Sequence, residues 1–405
     1  MQCLLSAGEA SGDTYGAQLA AALGQLAPGS TFFGMGGEKM RASGAELLVH
    51  ANEVAVVGLV EVVRHLPDIR RRFKHLVAEA ARRKPDAAIL IDFPDFNLRL
   101  ARELHRLGIP VFYFVSPQIW AWRTGRVQQI RKYVRKMIVI FPFEQEFYAR
   151  HGVEVSYVGH PLAYVPQPEI SREEFAAKHF LDPRKQWIAL LPGSRRKEVR
   201  LNLPVMAEAV RLVQKPSAEF EFLLPVASTL SKDWLCEQLQ TQGLKPLVDN
   251  DLNAALKGRS STGLTSNLPM IHLTHNAPTT LMHARAAVVA SGTATVEAAL
   301  SGTPFIVVYR LAPLTWLLGR RLVKLDTFAM PNLIAGKKIV PELIQKDFTA
   351  QNVLKELNAI IPDGPARQQM ISDLKMVQQR LHDSPDSESP AQRAAREILG
   401  ALGKV

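Results

Sequence analysis

Two carboxylates, Asp92 and Asp95, flank Phe93-Pro94 at the end of the apolar run Ala87–Ile91. A carboxylate at the mouth of a buried strand can draw a proton from a hydroxyl, worth about 10²–10⁴-fold in rate when well placed. Pro94 biases the residue before it away from the helical region, so the segment reads as a loop held open at the sheet edge. Asp95 followed by Asn97 fits a helix cap equally well, and residue type leaves both readings open. Further along, Arg195 follows Gly193-Ser194 where a helical pattern begins. Its planar fork suits the oxygens of a diphosphate and the charge that builds as a diphosphate departs. A salt bridge to nearby Glu198 is the plain alternative. Glu297 lies in Ser291-Gly292-Thr293-Ala294-Thr295-Val296-Glu297, early in an apolar helix. There it can accept two hydrogen bonds from a ribose diol, or simply answer the positive end of the helix.

Three segments have the form of a loop that opens a helix: Gly8–Asp13, Gly193–Arg195 and Ser291–Thr293. Free N–H groups and the helix dipole make such places suited to phosphate. None is the Gly-x-Gly-x-x-Gly fingerprint and none ends in Gly-Lys-Ser/Thr, so neither a dinucleotide fold nor a P-loop is supported. Singly each is a tight turn; together, in both halves of the chain, they favour a phosphorylated ligand. Ser116-Pro117-Gln118-Ile119-Trp120-Ala121-Trp122-Arg123 sets two indoles beside Arg123 and Arg126, which suits a sugar or acyl site or core packing. His160, between Gly159 and Pro161, reads as a structural hinge.

These residues need elements to place them, and the pattern supplies two sets. In the first half, Gln2–Ala7, Thr31–Phe33, Ala87–Ile91, Val111–Val115 and Met137–Phe141 read as strands, and a helix runs through Leu26. In the second, Trp187–Leu191, Phe220–Leu224, Ala286–Ala290 and Pro304–Tyr309 do the same. Alternation of buried strands and helices predicts α/β structure with parallel sheets. The expectation is two Rossmann-like domains facing a cleft, residues 1–168 and 169–382. Residues 383–405 form an acidic linker and a last helix, which returns to the first domain or exchanges with the partner subunit of a homodimer. The polar stretch Asp251–Leu268 reads as a long loop.

The chain has 405 residues, 47% of them apolar, 21% charged, with a net charge of +11. That composition excludes wholesale disorder. Cys3 and Cys236 are too few for a disulfide framework and lack metal-ligand spacing, so a reducing compartment and no metal are expected. The opening residues show no signal-peptide pattern. Eight Lys/Arg against two acids fall between Arg64 and Lys84, and six against none between Arg123 and Lys136. Ahead of the first cluster, Val56, Val57, Leu59, Val60, Val63 and Leu66 form an apolar face followed by Arg70, Arg71 and Arg72. Apolar helix beside basic residues is the pattern of a segment lying on an anionic membrane surface; a core helix with a charged end is the alternative. Binding of nucleic acid through the basic stretches would leave Asp95 and Glu297 without a task.

The ordered set of motifs resembles the lipid-A-disaccharide synthases, glycosyltransferases of the GT-B fold. The likeness runs nearly full length, through Ser6–Asp13, Gly34-Met35-Gly36-Gly37, Asp92–Asn97, Val115–Arg123, Phe141-Pro142-Phe143-Glu144 and Val158-Gly159-His160-Pro161. It continues through Leu190–Arg195, Ala290–Glu297 and Pro331-Asn332-Leu333-Ile334-Ala335-Gly336. The resemblance implies transfer of a diacylglucosamine from UDP to the 6-hydroxyl of diacylglucosamine 1-phosphate, without metal or cofactor, by a peripheral protein on the cytoplasmic side of the inner membrane. It makes Asp95 the leading general base and Arg195 the diphosphate partner, and assigns Glu297 to the ribose and Asn332 to the nucleotide sugar. With the helix-start loops, the substrate-contacting set becomes Gly8, Glu9, Ser11, Gly12, Gln118, Trp120, Gly193, Ser194, Ser291, Gly292, Thr293, Glu297 and Asn332. The alternative is another GT-B enzyme acting on UDP-GlcNAc, a lipid-linked peptidoglycan transferase or an epimerase.

Overall fold

Apolar runs buried on both faces become parallel strands covered by helices, because only such strands can be apolar on every side. The computed structural model describes residues 1–54, 59–122, 124–214, 219–248, 269–311, 327–382 and 388–404. Its chain divides into two units, Met1–Tyr164 with Leu381–Val405, and Val165–Arg380.

In the first unit, strands β1 (Gln2–Ala7), β2 (Thr31–Gly36), β3 (Glu46–His50), β4 (Ala87–Ile91), β5 (Val111–Phe114), β6 (Lys136–Val139) and β7 (Val155–Tyr157) form one parallel sheet. Their order is β3-β2-β1-β4-β5-β6-β7. Successive side chains sort to opposite faces. Leu4, Ala88 and Leu90 enter the core shared with helix Pro94–Arg106. Cys3, Leu5, Ile89 and Ile91 enter the core under helix Ala10–Leu26. The last helix, Pro390–Leu402, completes that second face, burying Ala394, Ala395, Ile398 and Leu399 beside Leu19 and Leu23. Polar contacts fasten it as well, from Lys136 to Glu397 at 2.7 Å and from Lys404 to Asp86 at 2.7 Å.

The second unit contains β8 (Gln186–Leu191), β9 (Phe220–Pro225), β10 (Lys245–Leu247), β11 (Met270–Thr274), β12 (Ala286–Ala290), β13 (Phe305–Tyr309) and β14 (Glu342–Ile344). They pair in parallel in the order β10-β11-β9-β8-β12-β13-β14. Strands β3, β7, β10 and β14, absent from the sequence reading, are the four sheet edges, and β11, also absent from it, lies inside the second sheet. An edge strand is half covered and short, so it carries little hydrophobic signal. Strand β2 also runs three residues beyond Phe33, through Gly36.

Candidate active site

In an open parallel sheet, ligands collect beyond the strand ends where the order reverses. In the first unit that point lies between β1 and β4, bringing the loops Gly8–Gly12 and Asp92–Asp95 together. Gly8 is buried against Phe93, and a Cβ there would lie 2.3 Å from the ring. Glu9 and Ser11 are exposed, whereas Gly12 is buried. Asp13 faces inward: its carboxylate accepts from the backbone N–H groups of Gly37 at 2.7 Å, Lys39 at 3.0 Å and Met40 at 3.1 Å. It locks the loop after β2 and is not available to a substrate.

The segment after β4 is not the extended loop that Pro94 suggests. Asp92 and Phe93 both adopt left-handed φ, at 45° and 51°, and Pro94 opens helix Pro94–Arg106. Proline suits the first helical position because its missing N–H would have no partner there. Two successive left-handed non-glycine residues are strained, of order 1–3 kcal/mol each. Asn97, fully buried, holds them. Its Nδ2 donates to the carbonyls of Asp92 at 2.8 Å and of Ser6 and Ile91 at 3.2 Å, while its Oδ1 accepts from Ser6 Oγ at 2.7 Å. Tyr113 Oη adds a bond to the Asp92 carbonyl at 2.6 Å. This turn lifts Asp95 into solvent, with 71% of its side chain exposed, where Arg126 meets its Oδ1.

Beside it the loop after β5 begins at Val115, again left-handed (φ 63°). Gln118 is exposed and Trp120 half-buried. The Trp120 indole N–H donates to Glu144 Oε1 at 3.1 Å, and Ser116 Oγ shares a bond with Tyr148 Oη at 2.8 Å. Glu144 is 1% exposed. Burial pushes its carboxyl up to about 8, against hydrogen bonds from Trp120, Phe141 and Ser116 that favour the ionised form. Sequence reasoning placed Glu144 only within a motif. Its Oε2 accepts from the Phe141 N–H at 3.3 Å at the start of helix Pro142–Arg150, but nothing in residue type announces its burial. His160 is buried too, its ring tilted against Phe141 with centroids 5.0 Å apart, and burial lowers its imidazole to about 3.

In the second unit the order reverses between β8 and β12, and the two helix-start loops Gly193–Arg195 and Ser291–Thr293 lie at those strand ends. The plain reading of Arg195 is realised here: its guanidinium lies 3.6 Å from Glu198. Glu198 Oε2 also accepts from the N–H groups of Ser194 at 3.1 Å and Arg195 at 3.3 Å. Gly193, at φ 123°, lets the chain pass this carboxylate, since a Cβ would fall 2.6 Å from Glu198 Oε2. Ser194 and Arg195 remain exposed. Ser291 is half-buried, and Gly292 and Thr293 are exposed at the start of helix Thr293–Leu300. Glu297 is half-buried on that helix, and burial raises its carboxyl above the ordinary value.

Asn332 does not offer its amide to a ligand. It is fully buried, accepts from Ile339 N at 2.7 Å and Val340 N at 2.9 Å, and donates to the Val340 carbonyl at 3.0 Å and Glu342 Oε1 at 2.7 Å. Every bond an amide side chain can make is thereby used, so it shapes the turn before β14. Of the apolar patch, Val56 and Val57 lie outside the described residues, as do Arg123 and the loop 251–268. Leu59, Val60 and Val63 belong to helix Leu59–Arg83. Further along it, Leu66 is 51% exposed, Arg70 and Arg71 are exposed, and Arg72 pairs with Glu53 at 2.6 Å. Ile69, Phe73, Leu76, Val77 and Ala80 turn to the core. Among the described residues no helix is long and apolar enough to cross a membrane.

The architecture recurs in solved structures covering the whole chain. These include a calicheamicin glycosyltransferase (TM-score 0.57, 16% identity, 100% of this chain and 98% of that one). A UDP-GlcNAc 2-epimerase from Neisseria meningitidis, bound to UDP-GlcNAc, aligns at TM-score 0.59 and 12% identity over 100% of both chains. They show the GT-B fold. Sequence relatives say more. Lipid-A-disaccharide synthase from Koribacter versatilis is 51% identical over 98% of both chains, and that from Geobacter sulfurreducens 39% over 99% of this chain and 97% of its own. A family profile described as lipid-A-disaccharide synthetase matches residues 3–251 and 246–396. With relatives this similar across both units, the chain belongs to the lipid-A-disaccharide synthase family.

Proposed function

We propose that this protein moves a 2,3-diacylglucosamine from UDP to the 6-hydroxyl of 2,3-diacylglucosamine 1-phosphate, giving the β(1→6) lipid A disaccharide 1-phosphate and UDP. The observation that carries this reading is the near-complete coverage by relatives of that name at up to 51% identity. The loops at the two switch points support it. In the second unit, Gly193–Arg195 and Ser291–Thr293 take the diphosphate, with Arg195 leaving Glu198 for the phosphate oxygens. Glu297 accepts from the ribose hydroxyls.

The chemistry is an inverting displacement. A UDP-linked sugar is α and the product is β, so the acceptor oxygen attacks from the face opposite the diphosphate. As the bond from that oxygen to the anomeric carbon forms, its proton passes to Asp95 in the first unit. The bond to the diphosphate breaks with its electron pair, and Arg195 stabilises the charge on departing UDP. Asp92 is the less suited carboxylate, half-buried in the turn that Asn97 clamps. The acyl chains and the headgroup place the reaction at the cytoplasmic face of the inner membrane, approached through Leu66, Arg70 and Arg71 with the apolar residues before them.

Purified protein given UDP-diacylglucosamine and diacylglucosamine 1-phosphate should release UDP only when both are present. Release or epimerisation of UDP-GlcNAc, with no reaction of the diacylated donor, would overturn the proposal in favour of another GT-B enzyme. Replacing Val60 and Val63 with Ser should reduce binding to anionic vesicles while leaving UDP affinity intact; unchanged vesicle binding would remove the membrane patch.

A further inference from the structure

The proposed base is held by a cation. Arg126, in the turn Thr124–Arg126 ahead of helix Val127–Tyr133, places its guanidinium on Asp95 Oδ1. The arginine is the better buried partner, at 24% exposure against 71% for the aspartate. An ion pair with one member so exposed contributes about 0–1 kcal/mol to stability, so holding the fold together is a poor account of it. For catalysis the pairing is unfavourable as it stands, because the guanidinium occupies the carboxylate oxygen that a hydroxyl proton would approach. The acceptor assigned above carries its phosphate on C1 and its reactive hydroxyl on C6, which hangs from C5, and C1 and C5 are joined through the ring oxygen. A hydroxyl directed to Asp95 therefore brings a phosphate within one side chain's reach of the same place. A phosphate bears more charge than a carboxylate and matches the guanidinium fork with two oxygens at once.

We propose that Arg126 reads the acceptor's phosphate: it pairs with Asp95 in the free protein and turns to the phosphate when acceptor binds, releasing Asp95 to take the hydroxyl proton. This rests on the reaction and base proposed above. The proton moves from the hydroxyl to Asp95 as the new glycosidic bond forms, and the electron pair of the broken bond leaves on UDP. Arg126 neither gains nor loses a proton. It is a specificity-determining residue, and the substrate's own phosphate completes the site.

The test compares kcat/KM for diacylglucosamine 1-phosphate and for its dephosphorylated form, in wild type, Arg126→Ala and Arg126→Lys. Neutral detergent micelles are used, so that no lipid headgroup supplies a phosphate; repeating the assay with anionic vesicles reports whether a headgroup can substitute. Wild type should prefer the phosphorylated acceptor by about 10- to 100-fold, the worth of hydrogen bonds to a charged group. The preference should fall to near unity in Arg126→Ala and return in part in Arg126→Lys, which keeps the charge without the fork. UDP affinity should be the same in all three. If Arg126→Ala loses rate equally on both acceptors and keeps the wild-type preference, Arg126 merely shapes the site and the inference fails. No UDP release by wild type with either acceptor would instead defeat the reaction proposed above, and this inference with it.

Discussion

Glu144→Gln offers a sharp reading of the network under the Trp120 loop. Burial holds the Glu144 carboxyl up at about 8, against an ordinary 4.5, so the folded protein keeps this group protonated at neutral pH. A carboxyl raised on folding contributes stability that is fully present below its unfolded value and is lost as pH climbs through the folded value. At about 1.4 kcal/mol per pH unit, ionising Glu144 in place costs at most ~5 kcal/mol by pH 8 to 9. Glutamine removes that loss, since it has no proton to give up. It keeps an oxygen for the Trp120 indole N–H at 3.1 Å but sets an amide N–H₂ against the Phe141 N–H, sacrificing a long bond of 3.3 Å worth about 1 kcal/mol. The variant should therefore be slightly less stable than wild type at pH 5 and more stable above pH 8, with a crossing between. Thermal melts of both proteins from pH 5 to 9 check this, and because every other titrating group is common to the pair, their difference isolates Glu144. Parallel curves over that range would refute the argument.

Asp95→Asn keeps the shape of the side chain and removes its basicity, so turnover should fall about 10²–10⁴-fold with UDP affinity unchanged; retained turnover, with loss in a folded Asp92→Asn, would reverse the two roles. Asn97→Ala strips the clamp from the left-handed pair Asp92–Phe93 and leaves Ser6 Oγ without its acceptor, which should cost about 2–4 kcal/mol in a denaturation series. Glu297→Gln should weaken UDP binding about 10-fold in a calorimetric titration at pH 7.5. Because burial raises the Glu297 carboxyl, wild-type affinity should begin to decline at a higher pH than an ordinary carboxylate would give, and should fall more steeply than that of the variant, in which only protonation of the UDP terminal phosphate acts.

The strands that carry the site were legible because each is buried on both faces. Ala87–Ile91 and Ala286–Ala290 have no exposed residue, and apolar runs of five residues, bounded by Pro85-Asp86 and Asp92 or by Arg285 and Ser291-Gly292, are too short for a buried helix. Edge strands such as Val155–Tyr157, half covered throughout, left no such mark. Loops that open helices were legible too, from glycine and serine after an apolar run. What those loops do with their side chains was not. Asn97, Asp13 and Asn332 are polar residues in motif positions, where a ligand role is the natural first thought, yet all three are consumed by backbone groups of neighbouring segments, joined by Ser6 Oγ at Asn97 and Glu342 Oε1 at Asn332. That distinction depends on which N–H and C=O groups are left over when two distant strands end side by side, and no local pattern encodes it. Pro94 misled for a related reason: the proline rule describes the average cost of a conformation, and here a buried asparagine and Tyr113 offset it.

The two switch points handle the same problem in opposite ways. Every helix start leaves N–H groups that need an acceptor. In the first unit Asp13 supplies one to the helix start after β2 and is buried in doing so, which fixes that loop, while the turn clamped by Asn97 presents Asp95 outward. In the second unit the acceptor for Ser194 and Arg195 is Glu198, half-buried and four residues further along the same chain. A carboxylate so placed keeps the loop formed in the absence of ligand, so a diphosphate arriving there exchanges one anion for another and does not have to order a loose segment. Part of the electrostatic gain is given up, since Glu198 must yield or share its donors, but the ordering cost of the loop has already been met in folding. A permanent clamp fits the role proposed for the first unit, holding a base in one position. A displaceable one fits the role proposed for the second, accepting a charged nucleotide and then letting UDP go.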